Sequence, residues 1–373
     1  MSKKKKIDWL IVLPSDSLGG GAEQLLFNIS EFVSNQGDKC KIIIASKKKS
    51  KGWEILEDKC NIKYMPFSQI HLGYIALIPY LIFNSLNFQV TQTLSSQTLI
   101  NGLIGFLKRI GFFKKTKVIV RESNSIFHLL NGVKLKMYAL AYNIGYSSVN
   151  LVICQTDYMK NELLKSVPWM RKRIKMIVIN NPINSDLILR KSKLQLPEIE
   201  NMDFMVAAGR LVPAKGFDIL LDSFQSIHNE FPNLKLLILG EGKDKNKLEA
   251  IIDKNKLHQH VKLVGFVENV YPYFKKAKLC VMSSRIEGFP NVLLQMMSQN
   301  TKVVSTLSAG GIEKLDGVFT CKTEDTEGLA EAIKKCLNSN TEINRKTFDQ
   351  ELGKRSLKNF VNEITKQSSS QIN

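Results

Sequence analysis

Ser283-Ser-Arg-Ile-Glu-Gly-Phe-Pro-Asn-Val-Leu-Leu-Gln295 follows the apolar run Ala277-Lys-Leu-Cys-Val-Met282. The run has the length and composition of a buried strand. Gly288 and Pro290 force a turn, and Asn291 to Gln299 then places apolar residues at helical spacing until Asn300. Glu287 therefore sits at the carboxyl end of a strand, just ahead of a helix amino terminus. Ligands of open α/β sheets bind at such strand ends, and the free N–H groups of the helix favour an anion. The plainer alternative is a strand–helix turn whose acid caps the helix.

The same alternation extends outward on both sides. After this stretch comes the strand Lys302–Ser305; before it come Phe204–Ala208, Leu234–Leu239 and Val261–Val264. Turns at Gly209-Arg-Leu-Val-Pro-Ala-Lys-Gly216 and Gly240-Glu-Gly242 lead into helices from Phe217 and from Lys245. The first half repeats the scheme with strands at Ile7–Leu13, Lys41–Ser46, Ile62–Met65, Gln89–Leu94, Val118–Val120, Leu151–Cys154 and Met176–Ile179. The apolar stretch His71–Phe88 reads as a helix of this half. Strands alternating with helices imply parallel sheets covered on both faces. The expected class is α/β, with two Rossmann-like domains facing across a cleft. Residues 1–184 form the first domain and 204–345 the second. Residues 185–203, weak in periodicity, read as a linker. A helix over 346–366 is expected to pack back on the first domain, and 367–373 form a tail.

Between Leu13 and the first helix lies Leu18-Gly-Gly-Gly-Ala-Glu23. Glycines in a strand–turn–helix let backbone N–H groups approach a phosphate, since no Cβ intervenes; a tight turn without ligand is the alternative. Arg210 and Lys215 straddle the corresponding turn of the second domain. Together they can grip a diphosphate, Arg as a planar fork and Lys as a point charge.

The chain has 373 residues, with Lys+Arg 53 against Asp+Glu 34, a net charge of +19. That excess implies an anionic partner. No nucleic-acid recognition motif or stacking platform accompanies it, so nucleic acid is set aside. Six scattered cysteines without a C-x-x-C pair imply reduced thiols in the cytosol. The segment 103–117, Leu-Ile-Gly-Phe-Leu-Lys-Arg-Ile-Gly-Phe-Phe-Lys-Lys-Thr-Lys, mixes apolar and basic residues in a way that suits an anionic membrane surface. A helix that packs its apolar face inward is the other reading. The basic amino terminus followed by Ile7–Leu13 imitates a signal peptide, but the apolar part is short and holds Asp8, so a first strand is expected.

Taken together, Gly19-Gly-Gly-Ala-Glu23, Gly209 to Leu221, Leu239-Gly-Glu-Gly242, Gly265-Phe266, Glu287 to Gln295 and Gly310-Gly-Ile312 resemble the retaining glycosyltransferases of family 4, which have the GT-B fold. The resemblance runs over nearly the whole chain, and is nearest to members that build bacterial surface polysaccharide such as O-antigen and capsule. It implies that Gly20 and Gly21 approach the donor phosphates, that Arg210 and Lys215 hold the diphosphate, and that Glu287 holds sugar hydroxyls. It implies donor contacts from Gly209, Gly288, Phe289, Pro290, Asn291 and Val292. The family's second acid falls on Gln295, where an amide replaces a charge-assisted bond to the ribose. Arg121, Glu122 and Asn124 end a first-domain strand and are candidates for the acceptor side or for structure. The implied partners are a nucleotide-sugar donor, with uridine as the expected base, and a lipid-linked glycan acceptor. No cofactor and no metal are expected, since the reaction is thought to run on one face of the sugar with the leaving diphosphate helping to deprotonate the acceptor. The implied location is cytoplasmic, peripheral on the inner face of the cell membrane. The competing hypothesis, raised by Gln295, is a non-catalytic scaffold or binding subunit.

Overall fold

The computed structural model describes residues 4–18, 20–48, 52–123, 127 and 132–369. They divide into two units, one running to Pro182 and resuming at Leu357, the other spanning Ile183–Ser356.

The first unit is built on strands β1 (Lys5–Leu13), β2 (Cys40–Ile44), β3 (Asn61–Tyr64), β4 (Phe88–Ser95), β5 (Lys117–Arg121), β6 (Leu151–Cys154) and β7 (Met176–Val178). They pair in parallel in the order β3-β2-β1-β4-β5-β6-β7. Its helices are α1 (Gly21–Asn35), α2 (Ile70–Asn87), α3 (Thr98–Arg109), α4 (Gly132–Gly145), α5 (Asp157–Ser166) and α6 (Met170–Arg173). The strands read as unbroken apolar runs because both faces are covered. Leu10, Val12, Ile43 and Val120 pack with Leu77 of α2, Ile104 of α3 and Tyr142 of α4. Trp9, Ile11, Leu13 and Ile42 pack on the opposite face with Leu25 and Ile29 of α1.

The second unit repeats the plan with α7 (Ser185–Lys191), β8 (Phe204–Ala208), α8 (Phe217–Ile227), β9 (Lys235–Leu239), α9 (Lys245–Lys254), β10 (Val261–Gly265), α10 (Tyr271–Lys276), β11 (Leu279–Met282), α11 (Asn291–Gln299), β12 (Val303–Thr306), β13 (Phe319–Cys321), α12 (Thr326–Asn338) and α13 (Glu342–Lys354). The strand order is β10-β9-β8-β11-β12-β13. After α13 the chain returns to the first unit as α14 (Leu357–Ser369).

Two expectations about boundaries change. Residues 185–203 are not a free linker. They hold α7, and Ile188 and Ile199 are buried in the second unit's core beside Phe204 and Tyr271. Their apolar residues are too sparse to show a period: Ile188 and Ile199 are buried, while Leu189 and Leu194 are 61% and 55% exposed. The stretch 346–366 is two helices broken at Arg355 and Ser356. Phe348 and Leu352 of α13 bury in the second unit, whereas Phe360, Val361 and Ile364 of α14 bury in the first. The two crossings between units run side by side, with the Ile183 N–H donating to the Arg355 carbonyl at 2.8 Å.

In each sheet the strand order reverses once, between β1 and β4 and between β8 and β11, the place where open α/β sheets bind ligands at their carboxyl ends. Beside the second reversal Gly216 caps α8 with a left-handed φ of 61°. A Cβ placed there would lie 2.1 Å from the Ser283 carbonyl oxygen, a backbone atom that cannot move aside. Gly216→Ala is expected to cost about 2–3 kcal/mol, from the strained dihedral plus the clash. A urea titration would register this as a lower midpoint at unchanged slope; an unaltered midpoint would refute it.

Candidate functional site

Strands β8 and β11 end side by side, and the turns after them are tied together. The Arg285 N–H donates to the Ala214 carbonyl at 2.8 Å, and its guanidinium donates to the Pro213 carbonyl and to Asp218, both at 2.7 Å. Burial would raise the Asp218 carboxyl, but hydrogen bonds from Arg285 and Lys247 outweigh it and hold it at about 2. The Ser283 hydroxyl donates to the Lys215 carbonyl at 3.0 Å. On this frame the Lys215 ammonium donates to Glu287 Oε1, and the Ser284 hydroxyl donates to the same oxygen at 2.8 Å. Both members of the ion pair are largely buried, with 19% and 17% of the side chain exposed. Oε2 of Glu287 accepts no hydrogen bond among the described residues, so one carboxylate oxygen is fixed and the other is open. Two residues 72 positions apart in sequence meet as one charged unit.

Arg210 stands beside this pair in sequence but not in contact. It is exposed and makes no side-chain hydrogen bond or ion pair among the described residues. Gly209, just before it, ties to the next strand through its N–H and the Leu239 carbonyl at 2.9 Å. Gly288 leads from Glu287 into Phe289, which is buried with the Arg355 guanidinium 5.0 Å from its ring centre. Pro290 then precedes Asn291 and Val292, the first residues of α11. The positive end of the helix dipole at this first turn favours an anion, and within the turn the Leu293 N–H donates to the Pro290 carbonyl at 3.1 Å. Gln295, one turn further, is half-buried and donates from Nε2 to the Tyr271 hydroxyl at 3.2 Å. Burial pushes that hydroxyl up to about 12, and the Gln295 bond offsets part of the rise. Sequence reasoning missed Tyr271, Ser284 and the Arg285 clamp. Ser284 and Arg285 lie inside the stretch that decides the fold; Ser284 bonds Glu287 three residues on, whereas the partners of Arg285, Pro213 and Asp218, are distant in sequence.

In the first unit, Gly20 precedes α1 as its cap residue and Gly21 opens the helix, at the end of β1 beside the reversal. Arg121 ends β5 and Glu122 follows it, and both are only 2% exposed. Arg121 donates to the Ser96 hydroxyl at 2.9 Å and to the Asn181 side-chain oxygen at 2.5 Å. The Glu122 carboxylate accepts from the Tyr142 hydroxyl at 2.7 Å and from the Tyr146 hydroxyl. Burial raises its pKa against the lowering effect of those bonds, and burial holds Arg121 down at about 10. Of the two readings, this burial matches the structural one: Arg121 and Glu122 bond within the first unit. Asn124 lies outside the described residues. The membrane reading of 103–117 is corrected in part. Phe113 is buried and Phe112 packs on the core, because α3 and the turn after it face inward. Among its apolar residues, only Phe106 and Ile110 stand exposed.

Residues 203–339 match the family described as Glycosyl transferases group 1. The match lies wholly within the second unit. An uncharacterised glycosyltransferase of Methanocaldococcus jannaschii is 30% identical over 190 residues, which cover 50% of this chain and 46% of that protein. The N-acetylgalactosamine-N,N'-diacetylbacillosaminyl-diphospho-undecaprenol 4-alpha-N-acetylgalactosaminyltransferase of Campylobacter jejuni is 27% identical over 209 residues, 55% of either chain. The chain spans roughly half the length of the curated relatives it matches. Among solved structures, HepE of Anabaena in complex with UDP superposes with a TM-score of 0.79 at 17% identity, covering 98% of this chain and 100% of that one. The fold is GT-B. The Lys215–Glu287 pair and the start of α11 all lie within the group 1 segment.

Proposed function

We propose that this chain is a retaining glycosyltransferase that moves a sugar from a UDP-sugar to a lipid-linked glycan during surface polysaccharide biosynthesis, at the cytoplasmic face of the cell membrane. One observation carries the reading: the Lys215–Glu287 pair at the strand reversal of the group 1 segment. It sets a cation for a diphosphate beside a carboxylate with one open oxygen for sugar hydroxyls. Arg210 and the positive end of the α11 dipole oppose the negative charge that develops on the leaving diphosphate. In this reading that charge is met by the chain's own groups, so no metal ion is assigned a step. The names of its relatives support the polysaccharide setting and the lipid-linked acceptor, and HepE's complex with UDP supports the choice of nucleotide.

Gln295 favours a second reading, a binding subunit without turnover, because an amide stands where the resembled family carries an acid. A thermal-shift titration with UDP, and with GDP and ADP alongside, separates the two. Saturation at about 100 times the dissociation constant adds about 2.7 kcal/mol and raises the midpoint by several degrees. A shift with UDP that Arg210→Ala abolishes is expected. No shift with any nucleotide would favour the subunit.

A further inference from the structure

Helix α2 reads Ile-His-Leu-Gly-Tyr-Ile-Ala-Leu-Ile-Pro-Tyr-Leu-Ile-Phe-Asn-Ser-Leu-Asn and holds no Asp, Glu, Lys or Arg in its 18 residues. One stripe, Gly73, Leu77, Leu81 and Asn84, is buried. It is locked down hard: a Cβ on Gly73 would lie 1.6 Å from the Ala45 carbonyl oxygen, so helix backbone and sheet backbone touch. The outer stripe is apolar as well. Leu72, Ile75, Phe83 and Leu86 recur at helical spacing with exposures of 37%, 63%, 50% and 55%. A helix resting on a core and facing water should turn polar residues outward. This one does not.

The neighbouring helices extend the same surface. Helix α3 packs against both α2 and α4 on one face of the sheet. It exposes Phe106 and, at its end, Ile110, while α4 exposes Val133, Met137 and Leu140 at positions i, i+4 and i+7. The basic residues Arg109, Lys114, Lys115, Lys134 and Lys136 are exposed alongside. From Lys59 to Thr156 the sequence holds ten Lys and Arg and a single carboxylate, Glu122. That carboxylate is buried.

We propose that the outer face of α2, α3 and α4 docks on an anionic lipid bilayer, with the α2 stripe seated among the headgroups and the lysines of α4 and of the turn after α3 against lipid phosphates. The helix is long and apolar enough to cross a membrane. Its Gly73 contact with the sheet and its buried Leu77 and Leu81 hold it flat instead, so it lies in the interface plane with the protein core on its other side. The charge pattern selects the occupant. A second copy of this chain would bring basic against basic across the face, whereas anionic headgroups meet both the apolar stripe and its basic flank. The surface deepens the membrane location given in the transferase reading, and the observations that carry it are separate from the donor site.

Co-sedimentation with vesicles tests the proposal, using phosphatidylglycerol–phosphatidylcholine mixtures and pure phosphatidylcholine. The full chain is expected to sediment with the anionic vesicles and to leave them as salt rises. Ile75→Gln with Phe83→Gln should lower partitioning about a hundredfold, roughly tenfold for each large apolar group withheld from the bilayer. Lys114→Gln with Lys115→Gln should weaken binding to anionic vesicles alone. Both variants should keep the native far-ultraviolet circular dichroism and melting midpoint, which shows that they fold whether or not UDP binds. Wild-type partitioning by the Ile75/Phe83 variant would overturn the proposal. So would a concentration-dependent dimer in size-exclusion runs that the same substitutions dissolve.

Discussion

Replacing Lys215 by alanine is expected to lower turnover by about 10²–10³ with a saturating UDP-sugar, the usual cost of removing one preorganised donor from a developing anion. Arg210→Ala should fall in the same range. The two variants should differ in stability, and that difference makes the test sharp. Arg210 is exposed and bonds to no other side chain among the described residues, so its loss should leave the melting midpoint unchanged. Lys215 pairs with a Glu287 side chain that is 17% exposed, and truncation strands that carboxylate. About 1–3 kcal/mol of stability should go with it. Changing Glu287 to Gln in the Lys215→Ala background should restore part of the stability and none of the turnover, since the pair acts as a unit. Steady-state kinetics beside denaturant titrations give both readings. Wild-type turnover in either single variant would remove the donor-site assignment.

The sequence carries the fold further than it carries the site. Parallel strands buried on both faces announce themselves as short apolar runs, which is why Leu10 to Leu13, Ile42 to Ile44 and Leu236 to Leu239 could be placed without coordinates. Strand ends follow from glycine and proline, and so Gly209, Lys215 and Glu287 fall where the reading set them. What stayed hidden is contact between distant positions. Nothing local shows that Lys215 meets Glu287, that Arg285 clamps Asp218, or that Gln295 faces Tyr271. Periodicity also fails where apolar residues are sparse or continuous. Ile188 and Ile199 were too few to show a packed segment, and α2, apolar all round, showed no preferred face until its buried stripe was seen. The pair Arg121 and Glu122 misleads for a related reason. A charged dipeptide at a strand end suggests substrate, yet here it is sealed by Ser96, Tyr142, Tyr146 and Asn181.

That sealed cluster yields the second large effect. Glu122→Ala is expected to cost about 3–5 kcal/mol, because it removes the acceptor for two buried tyrosine hydroxyls and leaves the buried Arg121 without its nearest opposite charge. Glu122→Gln is the more telling change. Burial raises the pKa of the native carboxyl above its unfolded value, so the folded state holds that proton more tightly than the unfolded chain does. The contribution of this group is therefore greatest below the unfolded carboxylate pKa and is lost as pH rises through the folded one. Glutamine does not titrate. The stability gap between wild type and Glu122→Gln should then move against the wild type as pH climbs from the ordinary carboxylate range toward neutrality. The same variant should respond to UDP as the native chain does, since Glu122 and Lys215 lie in different units. Urea titrations of both proteins between pH 4 and 8 measure the gap directly. A gap that stays constant with pH would mean that the carboxylate is held charged by its tyrosines and Asn101, and that hydrogen bonding outweighs burial in this cluster.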